Sequence, residues 1–157
     1  NTGLGIAEKF AKEGYNLFLG SRNAENAEKA AKELSEKYGV YAKGYGMKIF
    51  DEENTKEIFT DIKNSGYSVD TLVLNAANLG IRQQFFDVSI DDFMNVINTN
   101  IGWNFMLSRE AAIQMKENGG GSIVFVNFKH GLPCNPRQNC IQCIKIRSTW
   151  YDESTGT

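Results

Sequence analysis

Four short apolar runs alternate along this chain with stretches of helical periodicity, and that alternation limits its possible folds more than any other feature. The first helical stretch runs from Gly3 to Gly14: Ile6, Phe10 and the alanines form one apolar face, and Gly14 is a natural C-cap. Tyr15 to Leu19, bounded by Gly14 and Gly20, has the compactness of a buried strand. A turn at Ser21-Arg22-Asn23 leads into Ala24 to Tyr38. There the pairs Glu25/Lys29, Glu28/Lys32 and Glu33/Lys37 stand four residues apart, acid first, as on a solvated helix face. Val40 to Ile49 reads as a weaker strand, Asp51 as the cap of a helix reaching about Asn64, and Val69 to Asn75 as a second strongly apolar strand. Ser89-Ile90-Asp91-Asp92 has the form of a capping box. It predicts one long helix to about Lys116, with Phe93, Val96, Ile97 and Met115 on its apolar side and Gly119, Gly120 and Gly121 ending it. Ser122 to Val126 is the last apolar run. Helix and strand in strict alternation argue for parallel strands joined by right-handed crossovers, hence an open α/β sheet.

Length and charge narrow the functions such a sheet can serve. The 157 residues suit one domain and are few for two. With 17 basic and 19 acidic side chains the net charge is −2, so there is no basic surplus for contacts to nucleic-acid phosphates. No apolar run approaches the ~20 residues of a membrane span, and the first residues lack a signal-peptide layout, so no membrane partner and a cytoplasmic location are expected. Usage shifts abruptly near the end: all 3 cysteines, both prolines and the only histidine follow Lys129. Residues 1–126 therefore read as the α/β domain and residues 127–157 as an irregular, aberrant tail with no apolar period.

Five motifs agree in order and spacing with one family. They are the helix following a glycine turn at Gly3 and Gly5, Ser21-Arg22 closing a strand, Asp70-Thr71-Leu72-Val73-Leu74-Asn75-Ala76-Ala77 closing another, Asn100-Ile101-Gly102-Trp103-Asn104-Phe105 within the long helix, and Gly121-Ser122-Ile123-Val124 opening the last strand. Over Gly3 to Val126 the chain resembles the short-chain dehydrogenases/reductases, in particular the 3-oxoacyl-acyl-carrier-protein reductases. The resemblance implies a Rossmann-like doubly wound parallel sheet, hydride transfer between NADP(H) and a small-molecule ketone or secondary alcohol, and relatives that are usually homo-oligomers.

Each motif has a physical reading beside the implied one. A glycine turn at a helix N-terminus lets backbone N–H groups approach a pyrophosphate, while Gly3 and Gly5 could equally serve close packing of helix on sheet. Arg22, just past a strand's carboxyl end, stands where it could pair a ribose 2′-phosphate, and no acid occupies that turn to grip a free 2′-hydroxyl. That favours NADP(H) over NAD(H), against a plain solvated turn arginine. Asn75, Ala76 and Ala77 resemble the family's Asn-Ala-Gly turn, which leaves room for the adenosine side of the cofactor; a strand-end Asn satisfying backbone groups is the alternative. Asn100 matches a residue that holds a water in the family's proton relay, or else is a core amide bonded to the neighbouring strand. Lys48 stands where the family usually has an Asp touching the adenine.

Two departures accompany the match. Gly3 corresponds to the last glycine of the family's fingerprint, so the sheet is expected to lack its first strand, which lies centrally, as well as its C-terminal strands. The second departure concerns the reaction. The resemblance implies a proton-donating tyrosine, a lysine four residues later that lowers its pKa, and a carbonyl-orienting serine. Those positions hold Ile141, Lys145 and Phe128, so of the three only Lys145 is retained. Neither a butyl group nor a phenyl ring can donate a proton, and the chain is expected to be catalytically impaired. Reading Asn139 to Lys145 as AAT TGC ATA CAG TGC ATC AAA and starting one base later gives Ile-Ala-Tyr-Ser-Ala-Ser-Lys, the family motif. A frameshifted tail from about Asn127 follows as a hypothesis, which sequencing the encoding DNA decides. The rival takes the tail as genuine, with His130, Cys134, Cys140 and Cys143 as a tetrahedral zinc set, although one Cys-x-x-Cys carries little weight and no metal site is assigned. A non-catalytic interaction module is the alternative of a different class.

Overall fold

A computed structural model of the chain describes residues 2–78 and 85–126. Its elements in chain order are α1 (Thr2–Lys12), β1 (Leu17–Ser21), α2 (Ala24–Tyr38), β2 (Ala42–Gly46), α3 (Glu52–Asn64), β3 (Thr71–Leu74), α4 (Ile90–Ile97), α5 (Trp103–Glu117) and β4 (Ser122–Phe125). Between α4 and α5 the backbone forms a π-helical segment, Asn98–Gly102. The expected alternation is present, and both strand pairings are parallel.

The strands form two ribbons of two, β1 with β2 and β3 with β4. Ser21 stands opposite Gly46 in one ribbon, and Leu74 opposite Phe125 in the other. Among the described residues β1 and β3 each keep one ladder edge without a strand partner. Val124 and Phe125 remain about half exposed.

Helix ends follow from local hydrogen bonding. Tyr15 N donates to the Phe10 carbonyl at 3.1 Å and Gly14 N to that of Ala11 at 3.0 Å, with Gly14 at φ +85°, which is a Schellman ending of α1. This corrects the strand expected from Tyr15: that residue closes the helix, its ring edge-on to Phe10, and β1 starts two residues later. Asn23, Asp51 and Ser89 each accept from the N–H three residues on, capping α2, α3 and α4. None of the three acid-first pairs expected along α2 is among its ion pairs. Lys37 reaches instead across to Glu8 of α1 at 2.8 Å, where Tyr38 also donates at 2.6 Å, and Lys32 pairs with Glu36.

Packing differs between the ribbons. Along β2, Ala42, Gly44 and Gly46 alternate with Lys43 and Tyr45, so one face of the strand carries almost no side chain. A Cβ at Gly44 would collide with the α2 backbone at Ala27 and Glu28, and one at Gly46 would press on Ala24. Helix and strand therefore touch backbone to backbone, and the core there is Ala7, Ala11, Leu17, Leu34 and Val40. The opposite face carries Phe18, Tyr41 and Tyr45, joined by Tyr67. Lys43 and Tyr45 both donate to Asp61 of α3. The core against β3 and β4 is built of larger groups, Phe59, Leu74, Trp103, Leu107 and Met115. Buried Gln114 ties its parts together, donating to the Phe59 carbonyl at 2.7 Å and accepting from Val69 N at 3.1 Å.

Among the described residues no helix is long and apolar enough to cross a membrane.

Candidate functional site

All four strands are parallel to their partners, so their carboxyl ends gather the loops that bind ligands in open α/β sheets. Arg22 directly follows the last residue of β1, is exposed, and has no acidic partner among the described residues. Asn75 directly follows β3. Its Oδ1 is buried and accepts no hydrogen bond among the described residues, an orphan that a polar ligand group or neighbouring chain would satisfy. Ala76 and Ala77 beyond it are exposed and small.

Gly3 and Gly5 lie within the first turn and a half of α1 rather than in a turn before it. A Cβ at Gly5 would meet nothing within 4 Å. Close packing against the described strands is therefore not why glycine stands there, and the helix backbone at Gly5 is left uncovered.

The single long helix expected from Ile90 to Lys116 is instead interrupted at Asn98–Gly102, and Asn100 sits in the interruption. Trp103 N donates to the Asn98 carbonyl, a five-residue step in place of four. Side chains capture carbonyls around it: Thr99 Oγ1 donates to Asn95 O at 2.8 Å, and Asn104 Nδ2 to Asn100 O at 2.9 Å. The Asn100 amide turns to the segment after β3. Its Oδ1 accepts from Asn78 N at 2.8 Å and its Nδ2 donates to Asn78 O at 2.9 Å. This is the pairing of a strand ladder made by one side chain, and it fixes the loop leaving β3. One lone pair and one N–H of the amide remain for another partner.

Asn78 and Phe50 belong to this neighbourhood, and sequence reasoning singled out neither. Asn78 meets the Asn100 amide with its backbone N–H and carbonyl, which no residue type announces. Phe50 adopts φ 55°, rare for a side chain of its size, and its ring lies where a Cβ on Gly102 would be. That contact gives Gly102 its reason. Lys145, Ile141, Phe128 and the set His130, Cys134, Cys140 and Cys143 lie outside the described residues. Among the described residues no group of three His, Cys, Asp or Glu could hold a metal.

Elsewhere in the fold ionisable groups are engaged in cross-element pairs. Hydrogen bonds from Lys37 and then Tyr38 hold the Glu8 carboxyl down at about 2. Tyr45 is pushed well above its ordinary value, first by burial and then by its bond to Asp61.

The model of the family described as short chain dehydrogenase matches residues 2–140. The chain belongs to that family. The 3-oxoacyl-acyl-carrier-protein reductase FabG of Aquifex aeolicus is 31% identical over 138 residues, covering 87% of this chain and 54% of the relative. Among solved structures, the L-sorbose reductase of Gluconobacter frateurii complexed with NADPH and L-sorbose superposes with a TM-score of 0.73 at 27% identity, covering 78% of this chain and 46% of that one. A 7α-hydroxysteroid dehydrogenase complexed with NADH does so with 0.70 at 30%, covering 78% and 47%. The chain thus spans about half the length of these relatives, and its parallel strands and crossover helices are those of the Rossmann-like fold. The family match continues to residue 140, past Val126.

Proposed function

We propose that this chain carries the cofactor-binding part of an NADP(H)-preferring reductase of ketones or secondary alcohols, with its proton-transfer machinery impaired. The observation that carries the cofactor reading is Arg22: a guanidinium at the carboxyl end of β1, exposed and without an acidic partner among the described residues, in a turn that offers no carboxylate for a 2′-hydroxyl. The residues present fit a dinucleotide in three further respects. Among the described residues nothing covers the α1 backbone at Gly5, so the helix N-terminus and its dipole can face a pyrophosphate, with Gly3 beside it. Asn75 Oδ1 has no hydrogen-bond partner among the described residues, and Ala76 beyond β3 is small and exposed.

When bound, the nicotinamide supplies or accepts the hydride. The chain's own groups would orient it: Arg22 at the phosphate of the ribose, Gly3 and Gly5 at the pyrophosphate, Asn75 and Ala76 beside the adenosine, and Lys145 at the nicotinamide ribose. Asn100 acts in this reading by holding the loop after β3, and its spare N–H and lone pair could retain a relay water. Proton transfer is where the chain fails, since Ile141 and Phe128 hold no exchangeable side-chain hydrogen. An assay of NADPH oxidation with a generic ketone should give no turnover above background. Turnover that disappears in Lys145→Ala would contradict the impairment.

A second reading, an interaction module or a homo-oligomeric assembly, draws on exposed apolar groups. Ile90, Phe105 and Ile113 are 76%, 65% and 50% exposed along α4 and α5, with Phe105 and Ile113 eight residues apart and so on one helical face. NADPH binding to the purified chain separates it, because a module has no need of the cofactor.

A further inference from the structure

The carboxyl end of the β1–β2 ribbon carries a second cation that the reading above leaves unused. β1 and β2 run in register to their last residues, Ser21 opposite Gly46, and Met47 N donates onward to the Ser21 carbonyl at 2.8 Å. Arg22 follows Ser21 directly and Lys48 follows Gly46 by two, so both leave the same edge from strands only ~4.8 Å apart. The Lys48 backbone is pinned there. Its N–H donates to Asn54 Oδ1 at 2.8 Å, while Asn54 Nδ2 reaches back to the Gly46 carbonyl at 3.4 Å.

Four cations elsewhere bridge elements, Lys37 to Glu8, Lys43 to Asp61, Lys63 to Glu117 and Arg109 to Glu52, whereas Lys12, Lys29 and Lys116 on the helices have no ion pair among the described residues. Arg22 and Lys48 are exposed, and neither side chain has an acidic partner among the described residues. Of the acids at this edge, Asp51 accepts from Asn54 N and Glu52 pairs with Lys56 and Arg109. Glu25 and Glu53 stand in the first turns of α2 and α3. Two unneutralised cations at one strand edge suit a doubly charged anion. An ammonium has donors only, so it cannot accept from an adenine amino group as a carboxylate at this position would.

We propose that Lys48 is a specificity-determining residue that, together with Arg22, receives the ribose 2′-phosphate. The inference rests on the NADP(H) reading and adds to it a charge on β2 where a carboxylate would favour adenine contact instead. Titration calorimetry on the full chain tests it with two probes, adenosine 2′,5′-bisphosphate and adenosine 5′-monophosphate, each against wild type, Arg22→Ala, Lys48→Ala, Lys48→Arg and Lys48→Asp. Wild type should prefer the bisphosphate. Lys48→Ala should weaken it about fivefold and Lys48→Asp about twentyfold, with Lys48→Arg close to wild type and the monophosphate changing less than about twofold throughout. The losses should shrink as salt is raised. If Arg22→Ala abolishes the preference while the Lys48 variants bind as wild type does, this inference is overturned and the NADP(H) reading stands. If wild type binds both probes equally or neither, the reading itself fails and the inference falls with it.

Discussion

The two ribbons solve the same problem, a helix on a parallel strand pair, with opposite materials. At β1–β2 the strand face toward α2 is Ala42, Gly44 and Gly46, and small alanines on α1 and α2 complete the contact. At β3–β4 the helix stands on Trp103, Leu107 and Met115, and it is interrupted where Asn100 turns to the loop after β3. The first arrangement gives close approach, a regular helix, and a carboxyl edge that carries the exposed cations Arg22 and Lys48. The second gives a thick core and an irregular helix whose amide is fixed by four hydrogen-bonding atoms. In the proposed reading, recognition of charge falls to the first half and positioning of a polar side chain to the second.

Substitutions can break or sharpen that contrast. The largest effect is expected from Trp103→Ala, which empties the thick core and should cost about 4 kcal/mol in chemical denaturation. Trp103→Phe should cost under about 1.5 kcal/mol, because the indole N–H it removes has no partner among the described residues. Equal losses for the two would show that the N–H and not the packing matters. Gly44→Val should cost about 3 kcal/mol, since the α2 backbone leaves no space for any side chain. A neutral result would dissolve the close-approach half of the comparison. Gln114→Leu should cost about 2 kcal/mol by stranding the Val69 N–H. Asn100→Ala should cost about 1 to 2 kcal/mol, with faster amide exchange at Asn78 and none of the change reaching β1–β2.

The smallest effect concerns Glu8. Its folded pKa, about 2, lies below the ordinary carboxylate value, so the pair with Lys37 contributes stability that is fully present above about pH 4.5 and is lost as pH falls toward 2. Glu8→Gln should flatten the stability profile in that window. An unchanged profile would show that the pair contributes nothing.

The fold was legible where periodicity and caps agree. Gly14, Asn23, Asp51 and Ser89 mark their helix ends correctly because each signal is local: a left-handed glycine, or a side chain accepting from the N–H three residues on. Strand starts were less legible, since Tyr15 is as apolar as a strand residue yet closes a Schellman turn. Helix pairings were misread as well. Lys37 prefers an acid on α1 to one on its own helix, and no spacing rule sees across elements. The interruption at Asn98–Gly102 was hidden because the group its Asn100 amide pairs with, the backbone of Asn78, lies twenty-two residues away in sequence. Arg22 and Asn75 were readable from their place beside strand ends. The partner that makes Asn100 rigid was not.

The account stands most directly on which nicotinamide the chain holds. Equilibrium binding of NADPH and NADH to the purified 157-residue chain decides it. NADPH should bind at least about tenfold more tightly, through charge-assisted contacts to the extra phosphate. Equal affinities, tighter NADH, or no binding of either would contradict it.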